Sequence, residues 1–406
     1  MPGWDIIIFD VFCGFAFSKE RSDELCVNIA TFKEDVHMKY PRPKYQDPSV
    51  KTQAVKTAYG ADTSVAPLFD TPVSPRENFR RCIGRQDPIW YPNATTDKIT
   101  MNTNDVISWQ VRGMQIHSDF NLQAKEDYAF KDWFNTDWTW VVSAGGAMLT
   151  PGTQLLDDIT QWEKKVVFPD LTEWGFKEKA EEFMKTQNDP TKAVSYDMGR
   201  GVTERLVSVM GGYTDSMEAL LVEPEAVLDF FNAYADFMIQ VFDTMNGLYP
   251  LDMITIHDDW GTERDTFFSE KVMEELVFEP TKCLIDHIKK HDVFIEWHTC
   301  GNVTRFFPYM TQLGVDIAQI QGRAVDMVKM RELYGDKIGF CTMPHGLDMM
   351  KQNSKEDYLE AVRKTIDIYG PGGGSYLMMF TPDPELLWDV CSENYCYSRE
   401  LYDSLR

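Results

Sequence analysis

The chain has 406 residues, 43% of them hydrophobic and 13% aromatic, and a formal net charge of -24 at neutral pH. That composition supplies a sizeable core and excludes bulk disorder. A surface this acidic repels phosphate backbones and anionic membranes, which excludes nucleic acid and membrane as expected partners. Solubility alone accounts for the acidity.

Eight cysteines lie scattered, without the even, close spacing of a disulfide framework. They read as reduced thiols, so the expected location is cytoplasmic. The first apolar run, Ile6-Ile7-Ile8-Phe9 to Val11-Phe12, has no preceding Lys or Arg and is interrupted by Asp10, unlike a secretory leader. No stretch approaches the ~20 apolar residues of a membrane span.

Residues 1–70 are rich in Pro, Lys, Asp and Ser around 39–50 and show no period. They are expected to form an extension that drapes over the folded body or joins a subunit contact, as in a homodimer. Ser74-Pro75-Arg76-Glu77 combines an N-cap serine, proline at the first helical position and glutamate three residues after the cap, which predicts a helix to Ile83. Residues 88–91 and 138–142 are candidate strands, and 224–246 reads as a helix with apolar Val227, Phe230, Phe231, Tyr234 and Phe237. From residue 250 the pattern becomes regular. Strands are expected at 251–257, 293–299, 315–321, 337–342 and 375–380, alternating with helices at 268–290, 304–313, 327–334 and 354–369 and a last helix opened by Asp383-Pro384-Glu385. Such alternation predicts an α/β fold with a parallel sheet, preferentially a (β/α)₈ TIM barrel spanning 71–406. A doubly wound sheet would give the same alternation.

Two segments fall at expected strand ends. In Glu296-Trp297-His298-Thr299-Cys300-Gly301, alternation puts Glu296, His298 and Cys300 on one face. Carboxylate, imidazole and thiolate are all zinc ligands, and Cys341 could add another. The same residues also fit a packed thiol beside a hydrogen-bonded histidine. In His257-Asp258-Asp259-Trp260-Gly261, one carboxylate can turn inward as a general acid or base while the other caps the following turn or holds His257. Gly145-Gly146 after the 138–142 strand could open space for a bulky planar cofactor, or merely end that strand.

These segments resemble the uroporphyrinogen decarboxylase superfamily, and its corrinoid-dependent methyltransferase branch most. The resemblance rests on Ser74-Pro75-Arg76-Glu77-Asn78-Phe79, Pro151-Gly152 with Asp157-Asp158-Ile159 and Trp162-Glu163, Asp258-Asp259-Trp260-Gly261, His298-Thr299-Cys300-Gly301-Asn302 and Gly314-Val315-Asp316. It implies a (β/α)₈ barrel, zinc on a His-x-Cys pair matched by His298 and Cys300, and methyl transfer between a small compound, such as a methyl ether, and a corrinoid on a partner protein. The branch also carries a later cysteine, where this chain reads Pro371-Gly372-Gly373-Gly374. Glu296 or Cys341 could substitute, or no metal is used. The alternative is metal-independent decarboxylation. The decarboxylase's arginine-rich segment has no counterpart after Pro88-Ile89-Trp90, where Tyr91-Pro92-Asn93-Ala94-Thr95 follows.

Overall fold

The computed structural model describes residues 39–56, 63–101, 125–144, 146–173, 175–347, 351–379, 381 and 383–406. In chain order the strands are β1 (Thr52–Lys56), β2 (Thr63–Pro67), β3 (Lys98–Thr100), β4 (Tyr128–Lys131), β5 (Asp137–Val141), β6 (Gly146–Leu149), β7 (Ala193–Arg200), β8 (Met253–His257), β9 (Phe294–Thr299), β10 (Ile317–Ile320), β11 (Gly339–Thr342) and β12 (Tyr376–Leu377). Seven of them form one sheet in the order β12-β11-β10-β9-β8-β7-β3, every neighbouring pair parallel. A parallel bridge from Asn93 to Leu377 brings the segment just before β3 against the last strand. The sheet therefore curls back on itself as a TIM-barrel-like α/β fold, as expected. β8 and β11 are buried at every position, as befits strands with side chains inside and helices outside.

The helices stand where their end signals predict. Ser74 accepts from Glu77 N and opens Pro75–Ile83. Ser354 and Asp357 close a reciprocal capping box on Lys355–Tyr369. Asp383 caps Pro384–Leu405. Helix Pro224–Asn246 spans the expected residues, with its aromatic stripe buried.

Three expectations need correction. Residues 88–91 join no ladder. Pro88 and Pro92 lack amide donors, and the buried Asn78 side chain takes up the intervening backbone, accepting from Ile89 N at 2.8 Å and donating to Trp90 O at 2.9 Å. The strand expected at 138–142 is real as β5, but it pairs antiparallel with β4 and β6 in a separate meander. β7, absent from the sequence expectation, is an eight-residue barrel strand.

The meander is fastened to the barrel by a buried ion pair, Arg205 to Asp132 at 2.7 Å, both fully inaccessible. The Arg205 guanidinium also lies 4.3 Å from the Phe134 ring centre. Such a pair tolerates burial because Asp132 accepts in addition from Phe134 N and Thr136 N. From the extension, residues 39–56 and 63–70 lie along helix Pro384–Leu405: Val55 and Ala66 of the hairpin pack with Leu387 and Cys391.

Candidate active site

The β8–β9 register sets His257 opposite His298. Two residues further, beyond the strand ends, Asp259 faces Cys300 and accepts from its backbone N–H at 2.7 Å. The Asp259 carboxylate, His298 imidazole and Cys300 thiol thus converge at the C-terminal end of the barrel, their donor atoms all within 4.8 Å of one another. Cys300 Sγ is 3.4 Å from His298 Nε2, and Asp259 Oδ1 is 3.8 Å from the same nitrogen. Asp259 and His298 are buried, and Cys300 is half-buried.

Gln319 fixes which face His298 presents. Its amide oxygen lies 2.7 Å from His298 Nδ1 while its amide nitrogen points at Cys341 Sγ, 3.7 Å away. An amide oxygen can only accept, so Nδ1 carries the proton and Nε2 offers a lone pair to the cluster. Two loops hold the arrangement closed. Gly301 adopts φ +79°, and a Cβ there would sit 2.1 Å from Gly261 O. Only two glycines let the loops bearing Asp259 and Cys300 approach backbone to backbone.

The neighbouring residues separate by role. Asp258 is fully buried and turned away from the cluster: it accepts from Thr203 Oγ1 at 2.6 Å, Glu204 N at 2.7 Å and Trp260 Nε1 at 3.0 Å. It thereby caps helix Val202–Met210, whose own N-cap, Gly201, has no side chain. A Cβ on Gly201 would come within 2.5 Å of Asp258. Burial pushes the Asp258 carboxyl up to about 7, against the pull of the Thr203 hydroxyl and the Glu204 N–H. His257 Nε2 lies 2.7 Å from Asp197 Oδ2, and its ring packs 4.5 Å from that of His298, centre to centre. Burial raises the Asp197 carboxyl well above its ordinary range; Gly199 N–H and His298 oppose this and Glu296 adds to it. Asp197 and His257 therefore hold a proton between them beside the cluster. Arg200, opposite His257 in register, lies with its guanidinium 4.3 Å from the Trp138 ring centre, so the meander walls this side of the site.

Residues 205–379 match the family model described as uroporphyrinogen decarboxylase (URO-D). This part of the 406-residue chain is thus similar to uroporphyrinogen decarboxylase. A methyltransferase from Methanosarcina mazei shares the fold with TM-score 0.54 at 9% identity, over 79% of this chain and 98% of that one. A xylose isomerase-like TIM barrel protein from Mycobacterium smegmatis aligns with TM-score 0.31 at 13% identity, over 56% and 78%. None of the curated proteins matches the sequence. The matched stretch contains the Asp258 to Gly261 and Glu296 to Gly301 segments, whereas the Ser74 and Pro151 segments precede it.

In the structure His298 and Cys300 come together as their spacing suggests, and the third member of the group is Asp259. Neither Glu296 nor Cys341, expected as further ligands, belongs to the cluster. Glu296 lies deeper in the barrel, accepting from Thr255 Oγ1 at 2.7 Å and Tyr376 OH at 2.5 Å, so both carboxylate oxygens are engaged. Cys341 lies across Gln319, two ladder steps of ~4.8 Å from His298. Gly145 lies outside the described residues. Gly146 pairs with Val141, at the opposite end of β5 from the Trp138 to Leu149 pairing that approaches Arg200. Asp197 is the residue sequence reasoning missed. Its signal was a buried acid in the run Asp197-Met198-Gly199-Arg200-Gly201, at the end of an unrecognised strand.

Proposed function

We propose that this chain is a methyltransferase that moves a methyl group between a small donor or acceptor, such as a methyl ether, and a corrinoid carried by a partner protein. The observation that carries the reading is the convergence of Asp259, His298 and Cys300 at the active end of the barrel. One carboxylate, one imidazole with its outer nitrogen fixed by Gln319, and one thiol make a donor set suited to zinc. Three protein donors leave a coordination position for substrate, the pattern of catalytic sites. When bound, zinc would supply Lewis acidity toward a leaving oxygen or hold an acceptor thiol as thiolate, and the corrinoid would supply the methyl-carrying cobalt.

The chain's own residues do the rest. His298 and Asp259 bind from a buried position, which excludes competing water from that side. The Asp197–His257 pair holds a proton one ring away from His298, placed to give it to a departing oxygen or take it from an entering thiol. Asp258 positions the βα loop through helix Val202–Met210. Trp138 and Arg200 pack together beside the cluster.

Decarboxylation without metal is the second reading, favoured by the family that the sequence matches and by the same Asp197–His257 pair. Elemental analysis of the purified protein beside a His298→Ala/Cys300→Ala variant separates the two. Methyl transfer predicts about one zinc per chain, lost in the variant, and turnover of methyl donors only when a corrinoid protein is added. Activity on a small carboxylate that survives chelation, with no zinc in either protein, would overturn it in favour of decarboxylation.

A further inference from the structure

A second cluster of metal-binding side chains lies at the other end of the barrel. Helix Pro224–Asn246 ends just before β8, and helix Phe278–Lys289 ends just before β9, so both C-termini stand at the face opposite the active site. Asp243, in the last turn of the first, meets His287, in the last turn of the second, and His291, one turn beyond it. One ligand atom from each lies within 4.8 Å of the others. We infer that Asp243, His287 and His291 form a second, structural site for a divalent transition ion such as zinc, clamping the two helices together.

Three independent features support a cation there. First, the donors are held in place. The buried Phe242 ring packs edge-on against both imidazoles, with centres 6.0 Å from His287 and 5.4 Å from His291, which limits their rotamers. Second, two helix C-termini converge on the cluster, and each presents the negative end of its dipole. Third, the chemistry suits borderline ions: two imidazoles four residues apart and one carboxylate select zinc, copper(II) or nickel(II) over calcium or magnesium. Little movement is required. His287 Nε2 and Asp243 Oδ1 are now 2.7 Å apart, as a hydrogen-bonded pair. Ligands on a tetrahedral zinc stand about 3.3 Å apart at bond lengths of ~2.0–2.1 Å. The imidazole N–H proton leaves to solvent as the ion takes its place. Asp243 and His291 are exposed and His287 half-buried, so the ion can enter from solvent without opening the fold.

The site differs from the candidate active site in one measurable respect: it contains no thiolate. Cobalt(II) added to the full chain reports each separately, because only the cluster with Cys300 gives a sulfur-to-metal charge-transfer band. In a His298→Ala/Cys300→Ala background, cobalt should give a d–d spectrum without that band, and zinc should displace it. Adding His287→Ala and His291→Ala should abolish the remaining spectrum. Zinc should raise the melting temperature of the His298→Ala/Cys300→Ala protein, and raise it no longer once His287 and His291 are replaced as well. The His287→Ala/His291→Ala protein should keep its thiolate band, showing that the active cluster is intact. If the His298→Ala/Cys300→Ala protein binds neither ion, the cluster is an ordinary interhelical hydrogen-bonded pair and the inference fails. That result would leave the methyltransferase reading untouched.

Discussion

The chemistry of single residues follows from how deeply each is buried and what its neighbours accept or donate. Among the described cysteines, Cys283 is exposed and Cys300 half-buried, while Cys82, Cys341, Cys391 and Cys396 are buried. Burial pushes the thiols of the buried four up to about 12, so they are neutral and unreactive near neutral pH. A small alkylating reagent at about pH 8 should therefore modify Cys283 and Cys300 well before Cys82, Cys341, Cys391 or Cys396, read by peptide mass spectrometry of the native protein. Zinc should slow the reaction of Cys300 and leave Cys283 unaffected. Equal labelling of Cys341 and Cys300, or no zinc protection of Cys300, would count against Asp259, His298 and Cys300 as the ligand set. The same logic shows what the sequence pattern leaves open. Alternation placed Glu296, His298 and Cys300 on one face, which holds, but says nothing of depth. Glu296 sits one layer lower, where Tyr376 and Thr255 engage it. Asp259 came from a different strand, and the register that sets it against Cys300 is a pairing no single segment encodes.

At the scale of elements, the site depends on loops that leave β8 and β9 in contact. Gly301→Ala would place a methyl carbon 2.1 Å from Gly261 O and force a left-handed backbone on alanine. Because the clash is with backbone, the two loops must separate. The expected result is a loss of about 2 kcal/mol or more in stability, with zinc affinity falling further than the stability loss alone explains, measured by denaturant melts and zinc titration. Unchanged affinity would mean that the Gly261–Gly301 contact does not position Cys300. The second half of the barrel was legible in the sequence from its regular alternation. Short apolar runs there alternate with helices, some of which carry a marked cap, such as Ser354 with Asp357 or Asp383 with Pro384. β7 lacked such signals. Ser195, Asp197 and Arg200 break its apolar run, all eight residues are buried, and a bulge between Asp197 and Gly199 disturbs its register. Polar side chains belong in that strand because they meet polar partners on neighbouring strands, as Asp197 meets His257, a tertiary fact that local pattern cannot carry.

For the whole molecule, the segment before the barrel acts as a strap on the last helix. Tyr40 accepts from Arg399 at 2.7 Å, and the Arg399 guanidinium lies 4.6 Å from its ring centre. Arg42 reaches the buried Glu393 at 2.9 Å. Phe69 stacks on Tyr395 at 4.2 Å, and Trp388 donates to Pro43 O at 3.3 Å. The hairpin covers Leu387 and Cys391. Removing residues 1–70 would return Leu387, Trp388 and Tyr395 to water, at about 1.5–3 kcal/mol for each large apolar side chain. It would also leave Glu393 with Arg363 alone, 2.6 Å away. The truncated chain should melt at a lower temperature and self-associate through the bared helix. The cluster of Asp259, His298 and Cys300 is built from the β8 and β9 ends and makes none of these contacts. Zinc content per folded chain should therefore stay unchanged while stability falls. A truncated protein that melts like the full chain would show that the strap is peripheral. One that loses zinc in proportion to its lost stability would show that the last helix, through β12 and Tyr376, supports the barrel layer beneath the cluster of Asp259, His298 and Cys300.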